Sequence, residues 1–279
     1  MHKLNLPIHG DALVRFLYCR LPGINFALNR LLFWHLYASR ISQLDARFEE
    51  ARQMLTRSHF DFRGKTVLEL GPGNSRLNAY NFLMNGVRKV ILVDKFPRYH
   101  VSRRQKEFAD TELGCIKKKY AKTSLPFQDS AGRLKADRLQ FISGDITSLD
   151  LPPVDFIYSI SVLEHIKTPA TFIKKCADFL KPGGLMFHHI DLRDHYNFDH
   201  PFLFYKYSPK VWNQFLTKEG HSYTNRWRYD DFLKTFRRYR LKLLIETKQA
   251  YPLDLKKIHR SFQHYHNLNI GIWNCLLKK

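Results

Sequence analysis

Short apolar runs alternate with helical stretches along most of this chain, and this alternation constrains the fold more than any other feature. Five runs have the length and composition of buried strands, and two follow near the end: 66–70, 89–94, 139–146, 154–160, 184–190, 240–248 and 269–277. Helical segments lie between them; the clearest is 169–184, which stops at Pro-Gly-Gly. Strands alternating with helices predict an α/β fold with a parallel sheet and helices on both faces.

Glycines and acids follow the first strands of this predicted sheet. Gly71 and Gly73 flank a proline directly after the first strand, Asp94 ends the second, and Asp145 follows the third. In such sheets ligands bind outside the carboxyl ends of the strands, at the point where the strand order reverses. The pattern therefore predicts a ligand site there, with backbone approaching the ligand at the glycines and Asp94 accepting ribose hydroxyls. Each acid could instead serve only as a helix cap.

The ensemble VLELGPGNSRL, ILVD, GDI, DFIYSISVLEHI and FLKPGGLMFHH resembles the class I S-adenosylmethionine-dependent methyltransferases over about residues 62–195. The resemblance implies a Rossmann-like seven-stranded sheet and S-adenosylmethionine as cofactor. A dinucleotide enzyme is disfavoured, because after Gly71 and Gly73 the chain has Arg76 where the dinucleotide-binding pattern has its third glycine. The later pattern HHIDLRDHYNF to NLNIGIWNCLLKK also resembles a bacterial subgroup associated with polysaccharide and surface-glycan biosynthesis.

The resemblance also implies roles for individual residues. Glu69, Gly71 and Gly73 would hold the methionine end of the cofactor, and Asp94 its ribose. Asp145 and Ile146 would contact the adenine. The sulfonium side of the cofactor would be lined by three residues at the end of the fourth strand: Ser159, Ile160 and Ser161.

Titratable side chains crowd the end of the fifth strand. The candidates for a general base and its orienting acid are His188, His189, Asp191, Asp194 and His195. Arg193 lies in the same stretch of sequence. A histidine has an ordinary pKa near 6.5, which suits removal of a hydroxyl proton at neutral pH. Alternation along the strand sends His188 and His189 to opposite faces, so only one can reach the pocket directly. Any one of these histidines could instead be structural.

A metal-dependent variant is the alternative. Some methyltransferases bind a divalent metal at Glu-x-x-Glu-His after strand four, with a histidine after strand five. Here Ser161 stands in place of the first carboxylate. The remaining ligands would be Glu164, His165 and either His188 or His189, which are too few for a divalent metal unless Asp191 joins them. We therefore expect no metal, with Glu164 and His165 as its ligands if one is used.

The chain carries 46 Lys and Arg against 25 Asp and Glu, for a net charge of +21. Such a field attracts anionic lipid, nucleic acid or phosphorylated carriers. Four separated cysteines without a CxxC pair argue for a reducing compartment and against a zinc site. The pattern of residues 11–36 predicts two short amphipathic helices that either pack on the catalytic domain or lie in a bilayer interface, with Arg15, Arg20 and Arg30 at the headgroups.

The predicted organisation is a helical segment over 1–60 and a methyltransferase domain over 61–279. The domain has a basic insertion at about 98–138, interpreted as a solvated face, a cofactor cap or a docking surface. It also has an aromatic insertion at about 196–235, which suits either stacking on a sugar or base or a packed subdomain.

Three functions follow from these features. The first is O-methyl transfer to a hydroxyl of a glycan or glycolipid precursor, in the cytoplasm at the inner face of the cell membrane. The second is RNA 2′-O-methyl transfer, favoured by the positive charge. The third is a noncatalytic scaffold that binds an acidic partner.

Overall fold

The structure, a computed structural model, describes residues 13, 15–16, 37–95, 103–197, 199–217 and 223–279. The strands are β1 Thr66–Leu70, β2 Lys89–Asp94, β3 Leu139–Ser143, β4 Val154–Ile160, β5 Leu180–Asp191, β6 Lys242–Ala250 and β7 Ile270–Lys278. The main helices are α1 Tyr37–Arg57, α2 Leu77–Met84, α3 Arg103–Tyr120, α4 Pro169–Phe179 and α5 Tyr229–Arg238. Shorter helical turns include Leu163–His165 and Trp212–Leu216.

The strands form one seven-stranded sheet in the order β3-β2-β1-β4-β5-β7-β6. This confirms the predicted α/β fold with seven strands. Strands β1 to β5 are parallel, whereas β7 runs antiparallel to both β5 and β6. The sheet is therefore mixed, which the strand–helix alternation did not predict. The bounds of β1, β2 and β4 are those predicted, whereas β5 begins earlier, at Leu180, and includes the Pro-Gly-Gly stretch.

Each face of the sheet has its own apolar core, because successive side chains on a strand point to opposite faces. On one face Ile157 and Met186 pack with Phe236 of α5 and with α4. On the other, Tyr158 and Phe187 stack with ring centroids 5.6 Å apart and pack with residues of α1 and α2. The helices therefore cover both faces, and the strand ends are left as the place for a site.

The described part of the basic insertion packs against the domain through α3. Lys119 of α3 forms ion pairs with Asp45 and Glu49 of α1, with N–O distances of 2.7 and 2.9 Å. The buried Glu112 accepts hydrogen bonds from Ser75 Oγ and the Arg76 N–H at the start of α2. Residues 98–102 of the insertion lie outside the described residues. Glu112 is thus a buried member of the insertion, whereas Lys119 stays exposed to solvent while it forms its ion pairs. The three interpretations of the insertion stay predictions.

Several aromatics of the 196–235 region form a packed cluster. Phe202, Phe204, Tyr205 and Trp212 are buried with residues of the connection between β6 and β7. Two arginines in the region, Arg226 and Arg228, are also buried, and their guanidinium groups stack on aromatic rings and donate to backbone carbonyls. For these four aromatics the structure supports the packed-subdomain interpretation over stacking on a ligand.

The N-terminal segment 1–36 lies outside the described residues except for 13, 15 and 16. The side chain of Arg15 is fully buried, pairs with the buried Asp194, and lies over the ring of Tyr196. This corrects the hypothesis that Arg15 faces lipid headgroups, since an arginine buried in the domain cannot also reach a bilayer. Among the described residues, none of the helices has the length and apolarity needed to span a membrane.

Candidate functional site

The glycine turn after β1 lies where the strand order reverses, between β1 and β4. Gly71 and Gly73 have φ angles of +64° and +63°, a region that side chains with a Cβ disfavour. The Gly71 N–H donates to the Val93 carbonyl at 2.8 Å, and the Gly73 N–H donates to Asp94 Oδ2 at 3.0 Å. The turn is therefore held by the end of β2, and its backbone is exposed at the carboxyl edge of the sheet.

We expect Gly71→Ala to destabilise the domain more than a positive φ alone explains. A Cβ at Gly71 would lie 2.6 Å from Val162 Cγ2, whereas one at Gly183, with φ +76°, would meet no atom within 4 Å. Gly183→Ala should cost only the left-handed strain, about 1–2 kcal/mol, and Gly71→Ala about 1–3 kcal/mol more. Urea denaturation measures both. Equal losses would contradict the steric argument, and adding Val162→Ala should relieve part of the excess.

Glu69 is buried directly beneath the glycine turn. Its Oε1 accepts a hydrogen bond of 3.2 Å from Asn78 Nδ2, and its Oε2 has no hydrogen-bond partner among the described residues. Burial raises the pKa of Glu69 to about 8, against the lowering effect of the Asn78 hydrogen bond. A buried carboxylate oxygen without a partner is costly, and a cationic or N–H donor group on a ligand would satisfy it.

Asp145 caps the helical turn that follows β3. Its Oδ1 accepts from the Thr147 N–H and hydroxyl, at 3.0 and 2.7 Å, and Oδ2 lies 3.2 Å from Lys95 Nζ. Burial favours a higher pKa, but the Thr147 hydrogen bonds and the Lys95 charge lower the pKa of Asp145 below its ordinary value. The structure therefore agrees with the interpretation of Asp145 as a cap. Because Oδ1 is engaged in the cap, Oδ2 is the oxygen that can more easily change its partner. Ile146, the next residue, is buried.

Ser159 and His188 lie in the core, which changes the expectation for both. Both side chains are fully buried, and Ser159 Oγ and His188 Nδ1 share a hydrogen bond of 2.7 Å. The imidazole stacks on Phe236, and burial lowers the pKa of His188 to about 3. His188 stays neutral at physiological pH and faces a helix. Its geometry is that of a structural histidine. Ile160, the residue after Ser159 and the last of β4, is partly exposed.

His189 points to the opposite face, as strand alternation predicts. Its Nδ1 lies 2.5 Å from Asn274 Oδ1, and the Asn274 amide donates to Glu50 of α1. Burial lowers the pKa of His189 to about 4. Its imidazole belongs to a polar network that ties the sheet to α1, so the two strand histidines both have structural partners.

Asp191, Arg193 and His195 form a compact group at the carboxyl end of β5. Arg193 donates to both carboxylate oxygens of Asp191, at 2.9 and 2.7 Å. Burial would raise the pKa of Asp191, but the Arg193 hydrogen bonds and the neighbouring positive charges hold it well below its ordinary range. His195 Nε2 lies 3.8 Å from Asp191 Oδ2, an ion-pair distance rather than a hydrogen bond. The group therefore places the His195 imidazole beside a carboxylate that Arg193 holds in its ionised form.

Glu164, His165 and His195 converge next to this group. Each offers a ligand atom, and these atoms all lie within 4.8 Å of one another. Glu164 is buried, its Oε1 accepts the Asp191 N–H at 3.2 Å, and its Oε2 has no partner among the described residues. Burial and the Asp191 charge raise the pKa of Glu164 well above its ordinary value. His195 thus takes the place that the sequence analysis gave to His188 or His189.

Two residues that support the site were not singled out from the sequence. Asn225 donates to the Leu163 and Ile166 carbonyls, and its N–H donates to the Glu164 carbonyl, which fixes the turn bearing Glu164. Glu112 holds the start of α2 beside the glycine turn. No local sequence signal marks either one, because both act on segments far away along the chain.

Comparison with known proteins gives short similarities at the sequence level. The ubiquinone biosynthesis O-methyltransferase of Maricaulis maris is 35% identical over 65 residues, which cover 23% of this chain and 25% of the relative. That of Parvibaculum lavamentivorans is 52% identical over 33 residues, covering 12% of this chain and 13% of the relative. The chain thus matches at most about a quarter of the length of these relatives.

The fold comparison and the family comparison cover far more of the chain. A structure from Galdieria sulphuraria, described as a sarcosine dimethylglycine methyltransferase, aligns over 84% of each chain with a TM-score of 0.51 and 16% identity. At that identity the likeness concerns the fold alone. A family model described as "Methyltransferase domain" matches residues 40–246, which is well over half of the chain. The glycine turn and the strand-end acids lie inside this match, and the chain belongs to the methyltransferase domain family.

Proposed function

We propose that the protein transfers a methyl group from S-adenosylmethionine to a hydroxyl of a glycan or glycolipid precursor. The observation that carries the cofactor assignment is the group formed by Glu69, Gly71, Gly73 and Asp94 at the switch point of the sheet. The Oε2 atom of Glu69, which has no hydrogen-bond partner in the described part of the chain, suits the ammonium of the methionine end. Asp94 would accept the ribose hydroxyls, and Ile146 and Asp145 would contact the adenine. When bound, S-adenosylmethionine supplies an electrophilic methyl group.

The residues at the end of β5 support transfer to a hydroxyl. His195 would take the hydroxyl proton, and Asp191, held as a carboxylate by Arg193, would stabilise the imidazolium that forms. Histidine base catalysis suits an oxygen acceptor, whose proton must leave as the new C–O bond forms. The matched relatives named as O-methyltransferases agree with this choice.

Cofactor binding is the first test. We expect calorimetry to detect S-adenosylhomocysteine binding to the wild-type protein. Asp94→Ala should weaken it by about 5–150-fold, because the ribose hydroxyls lose an acceptor. Asp150→Ala is the matched control, since Asp150 is an exposed acid beyond β3. The cofactor assignment fails if the folded wild type shows no binding.

The acceptor class is tested with transfer assays at several salt concentrations. Lipid-linked glycans and total RNA are offered separately, with methyl transfer followed by mass spectrometry. RNA recognition driven by the net charge of +21 would weaken steeply as salt rises, whereas an uncharged glycan acceptor would not. Methylated RNA would favour the 2′-O-methyltransferase hypothesis. A protein that binds cofactor but methylates neither class would favour the scaffold hypothesis.

Metal-assisted transfer is a second candidate, favoured by the convergence of Glu164, His165 and His195. His165 Nδ1 lies 2.6 Å from the Tyr223 carbonyl, so Nδ1 carries a hydrogen, and in the neutral imidazole the lone pair is on Nε2. Metal-binding histidines are oriented in this way by backbone carbonyls. A divalent cation would act as a Lewis acid on the acceptor hydroxyl. Isothermal titration with Mg²⁺, Mn²⁺ and Zn²⁺, without acceptor, tests this candidate directly.

Membrane association is proposed through the exposed apolar side chains of the N-terminal segment. Leu13 and Phe16 are 61% and 38% exposed, whereas Arg15 is fully buried. Replacing both with Ser should reduce flotation with anionic liposomes, because less apolar area enters the interface. Leu244→Ser, which changes a 36% exposed leucine on β6, is the control. Equal flotation of all variants would count against this surface.

A further inference from the structure

The connection between β6 and β7 builds a cavity at the carboxyl edge of the sheet. Residues 251–269 lie between these strands, and β7 starts beside the end of β5, since Ile272 is the register partner of Asp191. The cavity has a volume of about 690 Å³, within the range of small-molecule sites. It therefore opens on the same edge as the glycine turn and the Asp191 group.

The lining of the cavity is uncharged, apart from one histidine. Its polar members combine two phenols, two side-chain amides and an imidazole: Tyr251, Tyr265, Gln263, Asn269 and His266. Its apolar members include Leu253 and the 67% exposed Leu255. No Lys, Arg, Asp or Glu lines it among the described residues, although a quarter of the chain is charged. A cavity with this lining does not select an anion, and it suits a ligand that offers hydroxyls and apolar C–H faces.

Two of the walls are fixed in place before any ligand binds. The Tyr265 hydroxyl donates to Asp231, with distances of 2.8 and 3.1 Å to its two carboxylate oxygens. The ring of Tyr251 lies against β7 at Gly271, where a Cβ would come within 2.6 Å of Tyr251 Cε2. Ile258 and Leu268, on the inner side, belong to the buried aromatic cluster. The cavity is thus largely preformed, which lowers the cost of ordering side chains on binding.

Tyr251 connects the cavity to the candidate catalytic group. Its hydroxyl accepts a hydrogen bond of 3.2 Å from Arg193 Nη1, and Arg193 in turn holds both oxygens of Asp191. A ligand that contacts Tyr251 is therefore linked to Asp191, the residue that would stabilise His195, through the side chains of Tyr251 and Arg193. This connection suits one acceptor that reaches both places.

We propose that this cavity is a subsite for an uncharged saccharide unit of the acceptor, distinct from the unit that is methylated. The inference rests on the proposed function, because it names the acceptor class of the same site. Tyr251 and Tyr265 would contact the apolar face of the sugar ring. Gln263 and Asn269 would exchange hydrogen bonds with its hydroxyls.

The test measures saccharide binding separately from methyl transfer. Saturation-transfer NMR is recorded on the full chain with S-adenosylhomocysteine present, using maltotetraose, chitotetraose and mannotetraose, with a heparin tetrasaccharide as the anionic probe. We expect at least one neutral probe to bind. The double variant Gln263→Ala, Asn269→Ala should weaken it by about tenfold, through the loss of hydrogen bonds to its hydroxyls. Gln249→Ala, which removes an exposed amide from β6, should leave it unchanged.

The outcomes separate this inference from the proposed function. If S-adenosylhomocysteine binds but no neutral probe does, the subsite is overturned and the methyltransferase assignment stands. If only heparin binds, or if the double variant binds a neutral probe as the wild type does, the subsite is likewise overturned. If the cofactor itself does not bind, the proposed function fails first. With a glycan acceptor, the double variant should raise KM while kcat stays near the wild-type value.

Discussion

Replacing His195 with Gln should lower the turnover of methyl transfer by about 10²–10⁴-fold while cofactor affinity stays the same. The amide keeps the size of the side chain but cannot accept the hydroxyl proton as a base. The basis of this expectation is the position of His195, 3.8 Å from the carboxylate of Asp191 and in a group that includes Glu164 and His165. Single-turnover kinetics and calorimetry measure the two quantities separately.

A matched control is His59→Gln, which changes an exposed histidine that follows α1. Turnover of this variant should equal that of the wild type. Asp191→Asn should also lower turnover, because the amide no longer stabilises an imidazolium at His195. If His195→Gln keeps full turnover, the base assignment is wrong and alignment of the substrates carries the reaction.

A chelator distinguishes the base from the metal-assisted candidate. If EDTA abolishes turnover and added Mg²⁺ or Mn²⁺ restores it, His195 acts as a ligand together with Glu164 and His165. Glu164→Gln should then weaken metal binding in the absence of acceptor. If EDTA has no effect, the loss in His195→Gln is assigned to proton transfer.

The strands near the glycine turn could be predicted from the sequence because their signals are local. β1, β2 and β4 are short apolar runs with clear flanking breakers, and their bounds match the predicted ones. The start of β5 was not predicted, because Pro-Gly-Gly was taken as the end of the preceding helix. In the structure the helix ends at Phe179, and the chain continues at once as β5, which pairs with β4 and β7. The antiparallel direction of β7 depends on the long connection 251–269, which has no local signature.

The candidate site was predicted as a region, with His195 as one of three candidate bases that the sequence could not rank. Sequence alternation correctly separates His188 from His189, but it cannot say what each one meets. Phe236 and Asn274, their partners, come from distant parts of the chain. His195 lies in a loop, where no periodicity orients a side chain. Glu112 looked like one acid in a basic insertion, yet it holds the residues that follow the glycine turn.

The second large effect is expected at the opposite end of the chain. Arg15→Ala should reduce the free energy of unfolding by about 3–5 kcal/mol, because it removes the cation that pairs with the buried carboxylate of Asp194. Both side chains of this pair are almost fully buried, and 179 residues separate them along the chain. The guanidinium also lies over the rings of Tyr196 and Trp212, whose contacts are lost in the same variant. Urea denaturation followed by tryptophan fluorescence measures the change.

Two further variants decide whether the effect comes from the buried pair. Arg63→Ala removes an ion pair with Asp61, but both of its side chains are exposed and screened by solvent, so the free energy of unfolding should stay near the wild-type value. The double variant Arg15→Leu, Asp194→Leu removes both charges and should regain much of the stability lost in Arg15→Ala. A loss below about 1 kcal/mol in Arg15→Ala would contradict the buried position of Arg15. A large loss means that Arg15 is held next to His195, since Asp194 directly precedes that histidine.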